Sequence, residues 1–198
     1  MTPIAIATED QLSEAIALRL IAEVKAPHQV ALKLGKTGNG YLRARMSSWY
    51  QMAQHQVMFV LTDLDRANCL VEFRDQWLTT EAPKNLLLRI AVREVESWVL
   101  ADHVAMRALM GAKGVLPVAP DELVDPKQSL LRLAKGAPRQ VRDDLLKAIG
   151  GNLAQGLGYN ARLSAWVHSD WCPQRAAERS PSLARARLRL DAAVRDFA

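Results

Sequence analysis

The sequence predicts an α/β domain with a mainly parallel sheet of about four strands flanked by helices. Four short apolar segments alternate with helical patterns over residues 1–110. This alternation is typical of parallel strands joined by helices that cover the sheet. Beyond residue 110, proline-punctuated loops and helical patterns predict a helical C-terminal extension. We therefore expect two domains, 1–110 and 111–198, with the extension packed on the α/β domain.

The predicted strands are short apolar runs bounded by polar or glycine-containing segments. They cover residues 3–8 (PIAIAT), 29–35 (QVALKLG), 57–62 (VMFVLT) and 86–92 (LLLRIAV). The third gives the strongest signal because it is continuously apolar and partly β-branched or aromatic. Right-handed crossovers would bring the carboxyl ends of all four strands to one edge, where such sheets bind ligands.

Helical periodicity fills the segments between the strands. The first helix follows residue 8, with Thr8 as its N-cap and Gln11 completing a capping box. Ser180 is the predicted N-cap of the last helix, with Pro181 in its first position. Further helices are predicted at 41–54, 69–78, 94–110, 126–135, 139–149, 159–168 and 181–197.

Composition indicates a folded, non-membrane protein. The 198 residues are 49% hydrophobic and 24% charged, which is ordinary for a globular chain. No apolar run approaches the roughly 20 residues of a membrane helix, and the N-terminus lacks the features of a signal peptide. Cys69 and Cys172 form no CxxC motif, which argues against a disulfide framework. We expect a cytoplasmic protein with no membrane partner.

The charge pattern is compatible with a polyanionic partner. The formal net charge is +5, and much of the positive bias lies near the C-terminus. Arg185 and Arg189, one helical turn apart, are candidates for a nucleic-acid-binding face. A solvated helix surface is the commoner outcome for such residues. The oligomeric state is not predicted.

Acidic residues follow the predicted strands. Asp63 and Asp65 end the third strand, and Glu9 ends the first. If the third strand continued through Asp65, the two aspartates would face the same side and meet Glu9 at the carboxyl edge. Carboxylates gathered in this way favour a hard cation such as Mg²⁺, or Mn²⁺ in its place, which can activate water in phosphodiester cleavage. The alternative is that the aspartates only cap the next helix or bind backbone N–H groups.

Three further segments offer candidate residues. Glu94 and Glu96 follow the fourth strand, and the pattern does not decide which faces a site, although Glu96 is the better candidate because Trp98 would then pack elsewhere. Lys127 can reach a phosphate, but DPK at 125–127 is first of all a helix start, with an N-cap Asp. GKT at 35–37 lacks the upstream glycine of a phosphate loop, so a plain turn is the better interpretation.

These residues together resemble the Toprim domain of topoisomerases, primases and the OLD and RloB-like nucleases. More of the chain is similar to one bacterial family of Toprim-like proteins that has no assigned activity. The similar segments are EDQLSEA, GNGY, TDLDR, RIAVREVESW, DPK, GLGYN and RSPSLARA. Members are often encoded beside ABC-type ATPases, so the resemblance implies such a partner and a role in phage defence.

The resemblance also implies residue roles. Glu9 would act in acid–base chemistry or metal binding, and Asp63 and Asp65 would bind Mg²⁺. Glu96, before a tryptophan, is similar to an acidic residue of the RloB-like relatives. One departure is Asp10, which stands where Toprim sequences have a glycine.

The resulting hypothesis is a Toprim-like, Mg²⁺-dependent nuclease or related phosphotransfer enzyme that acts on nucleic acid. Glu9, Asp63 and Asp65 would hold the metal, Glu96 would assist, and Lys127 or the late arginines would contact phosphate. The alternative is a non-catalytic partner or sensor subunit of an ABC-type ATPase.

Overall fold

The computed structural model describes residues 1–78, 82–149 and 152–197. The chain forms two compact units, one of residues 1–91 with 185–198 and the other of residues 92–184. These bounds differ from the predicted 1–110 and 111–198. The difference arises because the helices after the fourth strand pack with later helices of the second unit. No helix among the described residues is both long and apolar enough to cross a membrane.

The first unit contains a four-stranded parallel sheet, as the sequence predicted. The strands are β1 (Thr2–Thr8), β2 (His28–Gly35), β3 (Val57–Asp63) and β4 (Leu86–Ala91), in the order β2-β1-β3-β4. All three strand pairs are parallel, so every strand ends at the same edge. This arrangement is consistent with a Toprim-like fold, and it gives the predicted acids a common location.

Four helices follow the first three strands. They are α1 (Gln11–Ile21), α2 (Asn39–Ala44), α3 (Met46–Met52) and α4 (Leu70–Trp77). The single helix predicted at 41–54 is divided at Arg45, whose φ of −100° and ψ of 10° leave the helical region. The predicted cap of α1 is also wrong. Asp10, and not Thr8, is the N-cap, because its carboxylate accepts a 2.8 Å hydrogen bond from the Ser13 N–H.

The second unit is mainly helical. Its elements are α5 (Glu96–Ala101), α6 (His103–Met110), a 3₁₀ turn (Pro120–Glu122), α7 (Pro126–Ala134), α8 (Arg139–Leu145), β5 (Leu146–Ile149), β6 (Asn152–Gln155), α9 (Tyr159–Ser169) and α10 (Pro173–Ala177). The helix predicted at 139–149 is wrong beyond Leu145, because β5 and β6 pair as antiparallel strands. The helix predicted at 94–110 is interrupted at Asp102, which caps α6 by accepting from the Ala105 N–H.

The last helix, α11 (Pro181–Phe197), begins in the second unit and continues into the first. Ser180 is its N-cap as predicted, since its hydroxyl accepts a 3.3 Å hydrogen bond from the Leu183 N–H. In the first unit the helix is fixed by Arg187, whose Nε lies 2.9 Å from Oε2 of Glu23. Its carbonyl at Val194 also accepts from the Thr2 hydroxyl.

The two faces of the sheet bury different sets of side chains. Because side chains alternate along a strand, every second residue faces the same side. One face packs with the indoles of Trp49 and Trp77, through Ala5, Ala7, Met58, Val60, Leu86 and Leu88. The other face carries Ile4, Ile6, Phe59 and Leu61, which are also fully buried. Thr2 shares this second face with Ile4, and its bond to Val194 places α11 there.

Candidate functional site

The carboxyl edge of the sheet is organised around Glu9. This residue follows β1, and its Oε1 accepts a 2.9 Å hydrogen bond from the Asp63 N–H at the end of β3. The same oxygen accepts from the Thr62 hydroxyl. The predicted meeting of Glu9 with the third strand is therefore present, and it is made through a backbone N–H as well as through side chains.

Asp65 reaches this edge by a different route from the one predicted. The strand ends at Asp63, and Asp65 adopts a left-handed conformation with φ 52°. The strand therefore does not continue through Asp65, and the condition under which the two aspartates would face the same side is not met. Aspartate tolerates this backbone region better than most residues. Oδ2 of Asp65 accepts a 3.3 Å hydrogen bond from the Asn39 amide, which joins the edge to the start of α2.

The acids at this edge affect one another. Burial raises the pKa of Glu9 above its ordinary 4.5 and outweighs the hydrogen bonds from Thr62 and Asp63, which lower it. The charges of Asp65 and Asp10 raise the pKa further. The negative charge of Glu9 is thus costly, first because the carboxylate is partly buried and then because the charges of Asp65 and Asp10 have the same sign.

The glycine loop after β2 supports the edge. Gly35 has φ +98°, and a Cβ there would lie 2.2 Å from the Thr8 carbonyl oxygen, so only glycine permits this approach. The Lys36 and Gly38 N–H groups donate to the carbonyls of Thr8 and Glu9. The loop at 35–40 is therefore a structural turn that holds the chain at Glu9.

A Mg²⁺ site at this edge stays a prediction. Among the described residues there is no group of three or more His, Cys, Asp or Glu side chains arranged to hold a metal ion. Mg²⁺, however, is commonly held by one or two carboxylates, with water and substrate phosphates as its other ligands. Glu9 and Asp65, whose negative charges act on each other at this edge, are the two carboxylates that would contribute to it. A three-carboxylate site that includes Asp63 remains a prediction.

A second acidic cluster lies in the other unit. Nζ of Lys127 is 3.3 Å from Oε1 of Glu94 and 3.6 Å from Oε1 of Glu96. The Lys127 N–H also donates to Oε2 of Glu94. Both glutamates therefore contact the same lysine. Glu94 lies just before α5, and Glu96 is the first residue of that helix. Lys127 lies at the start of α7, where Asp125 is the N-cap, as the DPK motif predicted.

Glu96 is the buried member of this cluster. Burial has the largest effect and raises the pKa of Glu96 to about 7. The charge of Glu94 also raises this pKa, whereas the charge of Lys127 lowers it. Its Oε1 accepts a 2.9 Å hydrogen bond from the Tyr159 hydroxyl, and its Oε2 is buried with no hydrogen-bond partner among the described residues. The arrangement can hold a carboxyl group that exchanges a proton near neutral pH.

Tyr159 is placed by the GLGYN segment. A Cβ at Gly156 would lie 2.3 Å from the Asp144 carbonyl oxygen, and one at Gly158 would lie 2.9 Å from the Asp144 Cβ. These close approaches fix the start of α9 and hence the tyrosine. Burial raises the Tyr159 pKa well above 10, so the phenol keeps its proton. Its hydroxyl therefore acts as the donor in the hydrogen bond with Glu96.

The predicted nucleic-acid residues Arg185 and Arg189 are exposed on α11. Burial lowers the pKa of Arg89 of β4 to about 10, and the positive charge of Arg189 also lowers it. Their contact with nucleic acid remains a prediction.

Comparison with known proteins adds no homologue to this description. No family model, no curated protein and no solved structure matches the chain. The resemblance to Toprim-like proteins and the predicted ATPase partner therefore remain hypotheses.

Several site residues were not predicted. Thr62, Asn39 and Tyr159 contact Glu9, Asp65 and Glu96 respectively, although none carries a charge pattern that marks it in the sequence. Thr62 had a usable signal, since a buried hydroxyl directly before a strand-end aspartate needs a polar partner. Asn39 and Tyr159 lie within the quoted motifs GNGY and GLGYN, but only the folded chain shows what they contact.

Proposed function

We propose that the protein is a Mg²⁺-dependent nuclease, or a related phosphotransfer enzyme, that acts on nucleic acid. The observation that carries this proposal is the hydrogen bond of Glu9 with Asp63 beside Asp65, at the edge where parallel sheets bind ligands. The net charge of +5 and the exposed Arg185 and Arg189 support an anionic substrate.

The residues at this edge would have different roles in the reaction. Asp65 is exposed and offers oxygens to a cation, while Thr62 and the Asp63 N–H orient Glu9. A bound Mg²⁺ would supply Lewis acidity and would lower the pKa of a water molecule bound to it. Glu9, with its raised pKa, is suited to hold or release a proton at this edge.

The test is a cleavage assay with the full chain. Plasmid, linear duplex DNA and RNA are incubated with Mg²⁺ or Mn²⁺, and products are separated on gels. We expect cleavage by the wild type and losses of at least about 100-fold in Glu9→Gln and Asp65→Asn, a typical size for lost acid–base or metal-binding groups. Glu72→Gln on α4 is the matched control, because Glu72 is exposed and loses the same charge.

Two results would contradict the proposal. Activity that persists unchanged in Glu9→Gln and Asp65→Asn would reject this edge as the site, and no cleavage with or without an ATPase partner would reject the nuclease. The catalytic roles predicted for Glu96 and Lys127 are tested separately in the same assay with Glu96→Gln and Lys127→Gln.

The alternative proposal is a non-catalytic partner or sensor subunit of an ABC-type ATPase. It is favoured by one observation, namely that Oε1 of Glu9 already bridges β1 and β3 by accepting from Thr62 and Asp63. Asp63→Asn separates the two proposals. A catalytic carboxylate loses activity while stability holds, whereas a structural one loses about 1 kcal/mol of stability.

A further inference from the structure

One stretch of the first unit carries positive charge and no negative charge. Residues 24–62 contain no aspartate and no glutamate. In the remainder of the sequence, acidic and basic residues are equal in number, so the formal net charge of +5 belongs to this stretch. Its basic residues are Lys25, Lys33, Lys36, Arg43 and Arg45. An excess of one sign in one region favours partners of the opposite sign.

Arg43 and Arg45 lie on the outer side of α2 and at its junction with α3. Both are exposed, whereas Leu42 is fully buried and Trp49 nearly so. The Trp49 indole donates a 2.9 Å hydrogen bond to the Leu42 carbonyl. This bond satisfies a carbonyl beside the point where the helix is divided, so the backbone that carries the two arginines is fixed from the core side.

Arg45 is held in place by an aromatic ring. Its Cζ lies 5.3 Å from the centroid of the Tyr41 ring. Tyr41 is partly buried and packs against the core that contains Trp49. A guanidinium over an aromatic ring keeps its charge and its N–H donors. Arg45 therefore has less conformational entropy left to lose when it binds an anion.

No carboxylate neutralises these two arginines. Lys36 pairs with Glu14 at 3.3 Å, so a basic residue of this stretch can find an acidic partner. Among the residues that the structure describes, no ion pair joins Arg43 or Arg45 to a carboxylate. Exposed guanidinium groups without a counter-charge are suited to donate to phosphate oxygens.

This surface begins at the carboxyl edge of the sheet. Nδ2 of Asn39, the first residue of α2, donates to Oδ2 of Asp65 at 3.3 Å, and the Gly38 N–H donates to the Glu9 carbonyl at 3.0 Å. Arg43 follows Asn39 by four residues, which is about 6 Å along a helix axis. Phosphates of one stacked strand follow one another at about 3.4 Å along the axis, so this distance corresponds to roughly two nucleotides.

We propose that Tyr41, Arg43 and Arg45, the α2 surface, bind the sugar–phosphate backbone of a nucleic-acid strand and lead it to the carboxyl edge. The inference rests on the proposed function, since it names the surface that holds the substrate of that site. It differs from the prediction for Arg185 and Arg189, because α11 also carries two aspartates. Contacts with the backbone give binding that depends on salt and not on base sequence.

The experiment measures binding without cleavage. Labelled oligonucleotides of about 20 nucleotides, single-stranded and duplex, as DNA and as RNA, are added to the full chain in EDTA, and fluorescence anisotropy follows the complex. Wild type is expected to bind with saturation. Arg43→Gln and Arg45→Gln should each bind about tenfold more weakly, because each removes a charged hydrogen-bond donor. The form that wild type binds most tightly identifies the kind of strand.

Lys25→Gln is the matched control. Lys25 is exposed and belongs to the same acid-free stretch, but it precedes β2 and so lies at the amino ends of the strands, opposite the carboxyl edge. Its loss removes one positive charge, and the affinity should stay within about twofold of wild type because salt screens distant charges. Arg43→Gln decides the matter even if Arg45→Gln, at the division of the helix, fails to fold.

The salt dependence provides a readout that a structural role would not change. Between about 50 and 200 mM salt, the slope of log affinity against log salt concentration should decrease in magnitude by about 0.7–0.9 for each arginine removed. The slope should stay at the wild-type value in Lys25→Gln. A variant that binds weakly because its fold is disturbed would keep the wild-type slope.

Three results would overturn the inference. They are the absence of saturable binding by wild type to all four oligonucleotide forms, equal weakening in Lys25→Gln, and wild-type binding by the two α2 variants with a loss in Arg185→Gln and Arg189→Gln. The nuclease proposal fails separately. Binding as expected without cleavage in Mg²⁺ rejects the enzyme alone, whereas cleavage with wild-type binding by both α2 variants rejects the α2 surface alone.

Discussion

The Asp63 N–H on β3 donates a 2.9 Å hydrogen bond to Oε1 of Glu9, the residue that follows β1. One carboxylate oxygen thereby joins the carboxyl ends of two neighbouring strands, with the Thr62 hydroxyl as its second donor. Because both donors favour the charged form, this contact limits the rise of the Glu9 pKa that burial causes.

Thr62→Val removes one of these donors with little change of shape. We expect the free energy of unfolding to fall by about 1–2 kcal/mol near neutral pH, because a partly buried carboxylate loses a hydrogen bond. The pKa of Glu9 should rise further, so the loss should be smaller below pH 4.5, where Glu9 is protonated in both states. Urea unfolding at several pH values measures this. Thr37→Val, at an exposed position, is the control, and an equal loss at every pH would contradict the prediction.

The left-handed backbone conformation of Asp65 can be tested by substitution. Its φ of 52° is accessible to Asp, Asn and Gly at lower cost than to Ala. Asp65→Ala should therefore lower the free energy of unfolding by about 1 kcal/mol, whereas Asp65→Asn and Asp65→Gly should keep it. Chemical denaturation of the three variants is the measurement. Equal stability of the Ala and Gly variants would show that the left-handed turn carries no strain.

Gly35→Ala tests the close approach of β2 to β1. The new Cβ would lie 2.2 Å from the Thr8 carbonyl oxygen, at a φ of +98°. We expect a loss of at least about 2 kcal/mol of stability, because strain and a backbone clash act together. Gly40→Ala is the matched control, since a Cβ there meets nothing within 4 Å and the position is helical. It should be neutral or stabilising by up to about 1 kcal/mol, and similar behaviour of both variants would refute the close approach.

The sheet was predictable because its strands are buried on both faces. Such strands appear in the sequence as continuous apolar runs, and β3 is the clearest case. The β5 and β6 hairpin was missed because LKAI at 146–149 continues the apolar spacing of α8, and four residues cannot distinguish a strand from a last helical turn. The break at Asp102 was missed because a capping aspartate inside a helical pattern looks like an exposed helix residue.

The site was predictable where topology alone decides it. Parallel strands bring Glu9 and Asp63 to one edge whatever the side chains do. The left-handed turn at Asp65 and the hydrogen bond of Tyr159 with Glu96 depend on tertiary packing, which the sequence pattern does not contain.

We expect substitution of Asp102 to cause the largest loss of stability in the second unit. It is fully buried, and its carboxylate accepts from the Arg175 guanidinium at 2.7 and 2.9 Å and from the Cys172 N–H at 2.8 Å. Burial opposes its ionisation, but these bonds outweigh burial and hold the pKa below 3.8. Asp102→Ala should cost about 3 kcal/mol, because the donors lose their acceptor.

The pH dependence of this effect has a definite sign. A depressed pKa gives stability that is present above pH 3.8 and is lost as the pH falls through the lower folded value. The difference between wild type and Asp102→Ala should therefore shrink in acid, as measured by the fluorescence of the buried Trp98 and Trp171 during denaturation. Asp143→Ala, at an exposed ion pair, is the control and should change stability by less than about 1 kcal/mol.

We expect Glu96 to give the free energy of unfolding a pH dependence of the opposite sign near neutral pH. Its pKa is raised from 4.5 to about 7, so its contribution to stability is fully present below pH 4.5 and is lost as the pH rises through 7. Wild type should lose up to about 3 kcal/mol over this window. Glu96→Gln should not show this loss, because the amide keeps an acceptor for the Tyr159 hydroxyl and leaves Lys127 paired with Glu94.

The measurement is the free energy of unfolding of both proteins between pH 4.5 and a pH above 7. The two curves should meet at the acid end and separate as the pH rises, with Glu96→Gln the more stable protein in base. Glu122→Gln removes an exposed carboxylate from the same unit and should follow the wild-type curve. Parallel curves for wild type and Glu96→Gln would mean that folding leaves the pKa of Glu96 unchanged, and they would contradict the prediction.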